Sequence, residues 1–156
     1  MSAPVDAPSR EVTLTRVFNA PQQLVWTAWT DPRHLAQWWG PKMFTNPVCE
    51  VDLRPGGALR IDMCAPDGTL YPMTGTFTEV VPPKRLVFSS VARDKAGTAL
   101  LEGHNVITFE DVGGKTKVTV QSRAVGLVPI APQMLAGMEA GWTQSLEKLA
   151  ALVEGR

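Results

Sequence analysis

Nowhere in this chain do about 18 apolar residues run together, the length that a membrane-spanning helix requires, so no membrane insertion is expected. An excess of charge is missing as well. Fifteen basic residues balance fifteen acidic ones, leaving no net field to draw the protein toward nucleic acid or an anionic surface, and no nucleic-acid partner is expected. The opening stretch MSAPVDAPSR lacks the apolar core of a signal peptide, which points to a cytoplasmic protein. Histidine and cysteine are scarce, two of each, with no C-x-x-C or H-x-x-x-H spacing. Neither a zinc site nor any other cofactor is expected. No G-x-S-x-G elbow occurs, and neither cysteine has an evident activating partner. The segment GGKT (Gly113 to Thr116) resembles the end of a phosphate-binding loop. Phe109, however, stands where that motif needs its first glycine, and the segment lies between two strand patterns rather than ahead of a helix, so it is rejected.

What is present is enough apolar material for one core. A chain of 156 residues with 44% hydrophobic content is expected to form one domain over residues 10–156, preceded by a flexible tail over residues 1–9 rich in Pro, Ala and Ser. REVTLTRVF (Arg10 to Phe18) alternates Val12, Leu14, Arg16 and Phe18 against Glu11, Thr13, Thr15 and Val17, the period of a half-buried strand. Pro21 suits the first turn of a helix, and Leu24, Val25, Ala28 and Trp29 then recur at helical spacing as its apolar face. Thr30, Asp31 and Pro32 end that helix and cap a second, short one that Gly40 and Pro41 stop.

From Phe44 onward, turn signals punctuate the chain at hairpin spacing: RPGG, PDG, VPP, RDKAG and DVGGK. The segments between them are rich in β-branched and aromatic residues and read as six strands in an antiparallel meander. The period changes once more over PIAPQMLAGMEAGWTQSLEKLAALVE. There Leu135, Met138, Trp142, Leu146, Leu149 and Val153 form the stripe of one long helix. If Leu53 pairs with Ala58 across the RPGG turn, Cys49 faces Asp62 and Cys64 faces residues 46–48. The two cysteines are then diagonal neighbours roughly 7 to 8 Å apart, beyond disulfide reach, and free thiols are expected.

The order strand, two short helices, six strands, long helix predicts an α+β fold, a curved antiparallel sheet of six to seven strands wrapped around the C-terminal helix. A sheet curved round one helix leaves space between them. Several ordered motifs carry a resemblance: RVFNAPQQLVWTAWTDPRHLAQWWGP, DLRPGGALRIDMCAPDG, YPMTGTFTEVVPPKRLVF and a closing GW..SL..L. The chain resembles the SRPBCC superfamily, in the branch named after the C-terminal domain of the activator of the heat-shock ATPase chaperone. The resemblance implies a helix-grip, START-like or Bet v 1-like fold with an internal cavity.

Strand alternation names the face that would line such a cavity. The candidate ligand residues are Met63, Tyr71, Met73, Phe88, Asn105 and Ile107 on the sheet, Met134, Met138 and Trp142 on the helix, and Trp39 at the rim. Ser90, Leu101, Gly103 and Ser122 share the same face. Methionines adapt to irregular apolar shapes, and a few polar groups on an apolar wall orient a ligand. The leading expectation is a binding protein for a small hydrophobic or aromatic molecule rather than an enzyme, its cavity within the usual range of about 300 to 1,000 Å³. A homodimer is compatible with it. Two rivals stand beside it: a cofactor-free cyclase or hydrolase using Asn105, Tyr71 or His104, and an interaction module with a chaperone partner. Alternation places Glu102 and His104 on the solvent face unless a bulge at Gly103 reverses them. Trp38 and Trp39, about 100° apart on a helix, cannot both enter one core.

Overall fold

The computed structural model describes residues 8–155. Its elements run β1 (Ser9–Phe18), α1 (Gln22–Thr30), α2 (Pro32–Leu35), β2 (Thr45–Val51), β3 (Ala58–Cys64), β4 (Leu70–Val81), β5 (Arg85–Arg93), β6 (Ala99–Val112), β7 (Lys115–Gly126), α3 (Ala131–Ala136) and α4 (Met138–Val153). All seven strands pair antiparallel in one sheet, in the order β1-β7-β6-β5-β4-β3-β2. The meander of six is closed along one edge by β1, whose Phe18 sits opposite Thr116 and whose Ser9 sits opposite Val125. That pairing starts β1 at Ser9, one residue ahead of the expected Arg10. Residues 1–7 of the expected tail lie outside the described residues.

Local chemistry explains the boundaries. Pro21 caps α1 in an extended conformation. The Asp31 carboxylate accepts from the Arg33 backbone N–H at 2.9 Å, and Pro32 fills the first turn of α2 without losing a hydrogen bond. The β6–β7 hairpin turns on Gly113 and Gly114, both at positive φ, a tight connection that suits glycine and gives GGKT no helix to precede. On α1 the buried residues are Val25, Trp26, Ala28, Trp29 and Thr30, whereas Leu24 is exposed. The expected face is thus rotated toward Trp26, which packs edge-on against Phe109 at 5.2 Å.

Two further expectations are corrected. The β2–β3 register is one residue off, with Val51 opposite Leu59 and Cys49 opposite Ile61, and a bulge between Thr45 and Val48 sets Cys64 opposite Thr45. A loop one residue longer than the tight turn produces the offset. The cysteines stay unpaired. The C-terminal helix is not continuous either, because it breaks at Gly137 into α3 and α4. Glycine is a poor helix former, and the Arg10 guanidinium on β1 donates to the carbonyls of Leu135 and Ala136 at 3.1 and 3.0 Å, oxygens that an unbroken helix would use itself.

Candidate functional site

The site follows from how side-chain size changes along the strands. Register aligns Leu86, Ile107 and Val120 in one inward row, then Phe88, Asn105 and Ser122, then Ser90, Gly103 and Ala124, then Ala92 and Leu101. The early rows are bulky and close against α1 and the C-terminal part of α4. The later rows are small apart from Leu101. Over them lie Met138 and Trp142, each only half-buried, and a cavity of about 210 Å³ remains between sheet and helix.

Of the ten candidate residues, Trp39, Met63, Met73, Asn105, Met138 and Trp142 line this cavity. The other four do not. Tyr71 packs its ring against Phe44 at 6.3 Å at the start of β4. Phe88 borders a separate void of about 10 Å³ with Trp29, Trp39 and Phe77. Ile107 is fully buried in the closed core. Met134 falls on α3, which the break at Gly137 separates from α4. Ala92 and Ala124 also line the cavity, and carrying the alternation 86, 88, 90 and 118, 120, 122 one step further would have found them. Gly40 and Ser145 are part of the wall as well. Helical spacing from Met138 and Trp142 reaches Ser145, whereas periodicity carries no signal for Gly40.

At about 210 Å³ the cavity falls short of the expected 300 to 1,000 Å³. The reason lies in the neighbouring tryptophans. Trp38 is 0% exposed, donates its indole N–H to the Ala28 carbonyl at 2.8 Å and meets Trp29 edge-on at 4.6 Å. Trp39 is half-buried, packs edge-on against Trp142 at 5.5 Å and tilted against Phe88 at 6.3 Å, and takes up space the ligand would otherwise have. The two adjacent indoles therefore differ, one a plug and the other a wall. Trp29 is buried beside both, and its Nε1 has no acceptor, a cost of about 1 to 3 kcal/mol that the aromatic packing has to offset.

The loop after Trp39 is fastened to α4. Gly40 sits at φ +91°, and a side chain there would meet the Met63 sulfur at 3.0 Å, so glycine is required. Ser145 Oγ lies 2.8 Å from the Gly40 carbonyl and 2.9 Å from that of Gly141, two acceptors for one proton. The Lys42 backbone N–H donates to Gln144 Oε1 at 2.9 Å. Lys148 Nζ lies 3.3 to 3.5 Å from the carbonyls of Trp39, Gly40, Pro41 and Phe44. From the other side the Asn46 amide donates to the carbonyls of Ala36 and Trp39 at 2.9 and 2.8 Å. Burial lowers the Lys148 pKa below the ordinary lysine value, and burial likewise pushes the Cys49 thiol up to about 11.

One polar row enters the cavity wall. Ser122 Oγ donates to Asn105 Oδ1 at 2.7 Å, and Asn105 Nδ2 lies 3.4 Å from both the Phe88 carbonyl and Ser90 Oγ. Glu102 and His104 belong to the opposite face. The register through Gly103 is unbroken, so His104 is exposed between Ser89 and Arg123 and does not reach the cavity. Among the described residues no three His, Cys, Asp or Glu side chains converge as metal ligands. No helix among them is long and apolar enough to cross a membrane.

A curved antiparallel sheet gripping a C-terminal helix across a cavity defines the helix-grip class. Within it, the chain belongs to the Activator of Hsp90 ATPase homolog 1-like family of the SRPBCC group, whose family model matches residues 19–154. Solved structures share the fold across nearly the whole chain. Protein CV1439 from Chromobacterium violaceum is 30% identical, with 92% of this chain and 96% of that one covered and a TM-score of 0.80. A protein from Arthrobacter aurescens is 27% identical over 94% and 87% of the two chains, with a TM-score of 0.81. The AHSA1 protein from Silicibacter pomeroyi is 26% identical over 93% and 98%, with a TM-score of 0.78. No curated protein matches the chain.

Proposed function

We propose that this protein binds a small, mostly apolar molecule in the cavity between the sheet and α4, and holds it without chemical change. The observation that carries the reading is the run of small inward residues, Ser90, Ala92, Gly103 and Ala124, beneath the half-buried Met138 and Trp142. Larger side chains at Ala92 and Ala124 alone would fill much of the space. A cavity of about 150 Å³ already holds benzene, so about 210 Å³ suits a substituted single ring or a short branched chain. Such a ligand buries about 150 to 250 Å², which at roughly 25 cal/mol per Å² favours binding by about 4 to 6 kcal/mol. Dissociation constants near 0.1 to 1 mM are expected for simple probes, in order of magnitude.

The rival enzyme reading loses its acid–base group, because His104 stands on the outer face. The protein is read as cofactor-free and cytoplasmic, its two free thiols being at home in a reducing compartment. Its partner is the small molecule rather than nucleic acid or membrane. Titration with indole, toluene and acetophenone, followed by calorimetry, tests the reading. Saturable changes that Ala124→Leu abolishes support it. Absence of saturation for all three probes, with nothing copurifying by native mass spectrometry, overturns it.

A further inference from the structure

The polar row in the cavity has a direction, and that direction restricts the ligand. The inference rests on the binding role proposed above. The Phe88 carbonyl oxygen only accepts, so the end of the Asn105 amide that faces it at 3.4 Å is the NH₂ group. The other end is then Oδ1. It faces Ser122 Oγ at 2.7 Å, and the serine must donate. Ser90 Oγ, 3.4 Å from the same Nδ2, can only accept from it, and so turns its own proton away from Asn105. No acceptor among the described residues takes that proton. Gly103, opposite Ser90 across the ladder, makes the arrangement sterically available: a Cβ at 103 would come within 2.4 Å of Ser90 Oγ.

The row is therefore rich in unspent donors. Both contacts of the Asn105 NH₂ group are 3.4 Å, longer than the 2.7 to 3.2 Å of a well-made N–H···O bond, and the Ser90 O–H is uncommitted. The amide oxygen already accepts at 2.7 Å; it and the two hydroxyl oxygens keep lone pairs, but the Asn105 NH₂ group and the Ser90 O–H carry the protons that lack a well-made acceptor. Charge is absent too. No Asp, Glu, Lys or Arg lines the cavity, so an ammonium or carboxylate ligand would be buried without a counter-charge.

We infer that the cavity selects neutral molecules of about single-ring size bearing one acceptor oxygen, a ketone, aldehyde or ester, with that oxygen seated against Ser90 and Asn105 and the apolar remainder against Met138 and Trp142. Hydrocarbons of the same shape bind less well and amines are excluded.

Acetophenone and α-methylstyrene provide the test, since they share a shape and differ by oxygen against methylene. Both are titrated into the full chain and into Ser90→Ala, and each affinity is referred to the compound's own water-to-hydrocarbon partition. Infrared spectra of carbonyl-¹³C acetophenone, free and bound, give a second readout that a change in packing alone would not move. The corrected preference for acetophenone is expected to fall about 3- to 10-fold in Ser90→Ala, the worth of one hydrogen bond, and the bound carbonyl band to lie near its position in alcohols. Binding of both probes with an unchanged preference and a band at its hydrocarbon-solvent position overturns the inference and leaves the cavity reading intact. Binding of neither probe overturns the inference, and the cavity reading falls with it when indole and toluene also fail to saturate and nothing copurifies.

Discussion

The inward face of the sheet has a closed half and a hollow half, built from the same strands and covered by the same C-terminal helix. In the closed half, Leu86, Ile107, Phe109, Val118 and Val120 are essentially sealed from solvent against Val25, Trp26 and Trp29 of α1 and Leu146, Leu149 and Val153 of α4. A few residues along the same strands, the inward positions carry Ser90, Ala92, Gly103 and Ala124, and α4 offers Met138 and Trp142, neither fully buried. Strand period and helical stripe continue unchanged through both halves. Side-chain volume alone differs. Stability should therefore come from the closed half, where dispersion contacts are complete, and ligand capacity from the half where they are forgone.

The comparison breaks most visibly at the paired tryptophans. Trp38→Ala should cost about 3 to 5 kcal/mol, because the indole is fully buried and hydrogen-bonded to Ala28, whereas Trp39→Ala at the cavity wall should cost less than half as much. Denaturant melts of the two variants decide it, and equal losses would mean that the halves are not distinct. Within α4 the contrast should repeat at smaller scale. Leu149→Ala, at a fully buried position, is expected to lose about 2 to 4 kcal/mol, and Met138→Ala about 1 kcal/mol or less.

Filling the hollow half sharpens the point. Ala124→Leu should change stability by no more than about 1 kcal/mol, since the added methylenes enter existing space, yet it should weaken single-ring probes at least tenfold. Large destabilisation instead would show that the cavity is narrower at β7 than its lining implies. The smallest effects lie in pH dependence. Burial lowers the Lys148 pKa, so the unfolded chain binds more protons in the window just below 10.5, and stability rises with pH there. Cys49, raised from 9.0 to about 11, acts oppositely: its unfolded thiol ionises first, and stability falls as pH rises from about 9 to 11. Melts between pH 8 and 11 should show Lys148→Met losing the rise and Cys49→Ala losing the fall.

Much of the fold is legible because it is local. Each glycine-bearing turn, Asp31 as a cap and the alternation of seven strands depend on neighbours a few residues away. Errors cluster where a distant group intervened. Arg10 takes the carbonyls that would have carried the helix past Gly137, and Met134 thereby drops out of the cavity. Trp26 rather than Leu24 is buried because Phe109, far along the chain, supplies the surface for it. The one-residue slip at β2–β3 arises in the loop after Asp52, whose N–H reaches Ala58 in place of the expected Leu53 pairing.

By itself, then, the sequence determined the order of elements, the inward face of every strand but β2, the unlike fates of Trp38 and Trp39, and the polar residues available to a ligand. These follow from backbone period and side-chain type, which the chain carries wherever it goes. Tertiary structure alone decided how much space remains. The cavity volume is a difference between two large quantities, the room under the sheet and the bulk that fills it, and Trp39, Ser145 and the Gly40 loop enter that difference through contacts about 100 residues apart. It also decided the direction of the Ser122–Asn105–Ser90 row, because only the Phe88 carbonyl brought beside Asn105 by strand pairing fixes which end of the amide can donate.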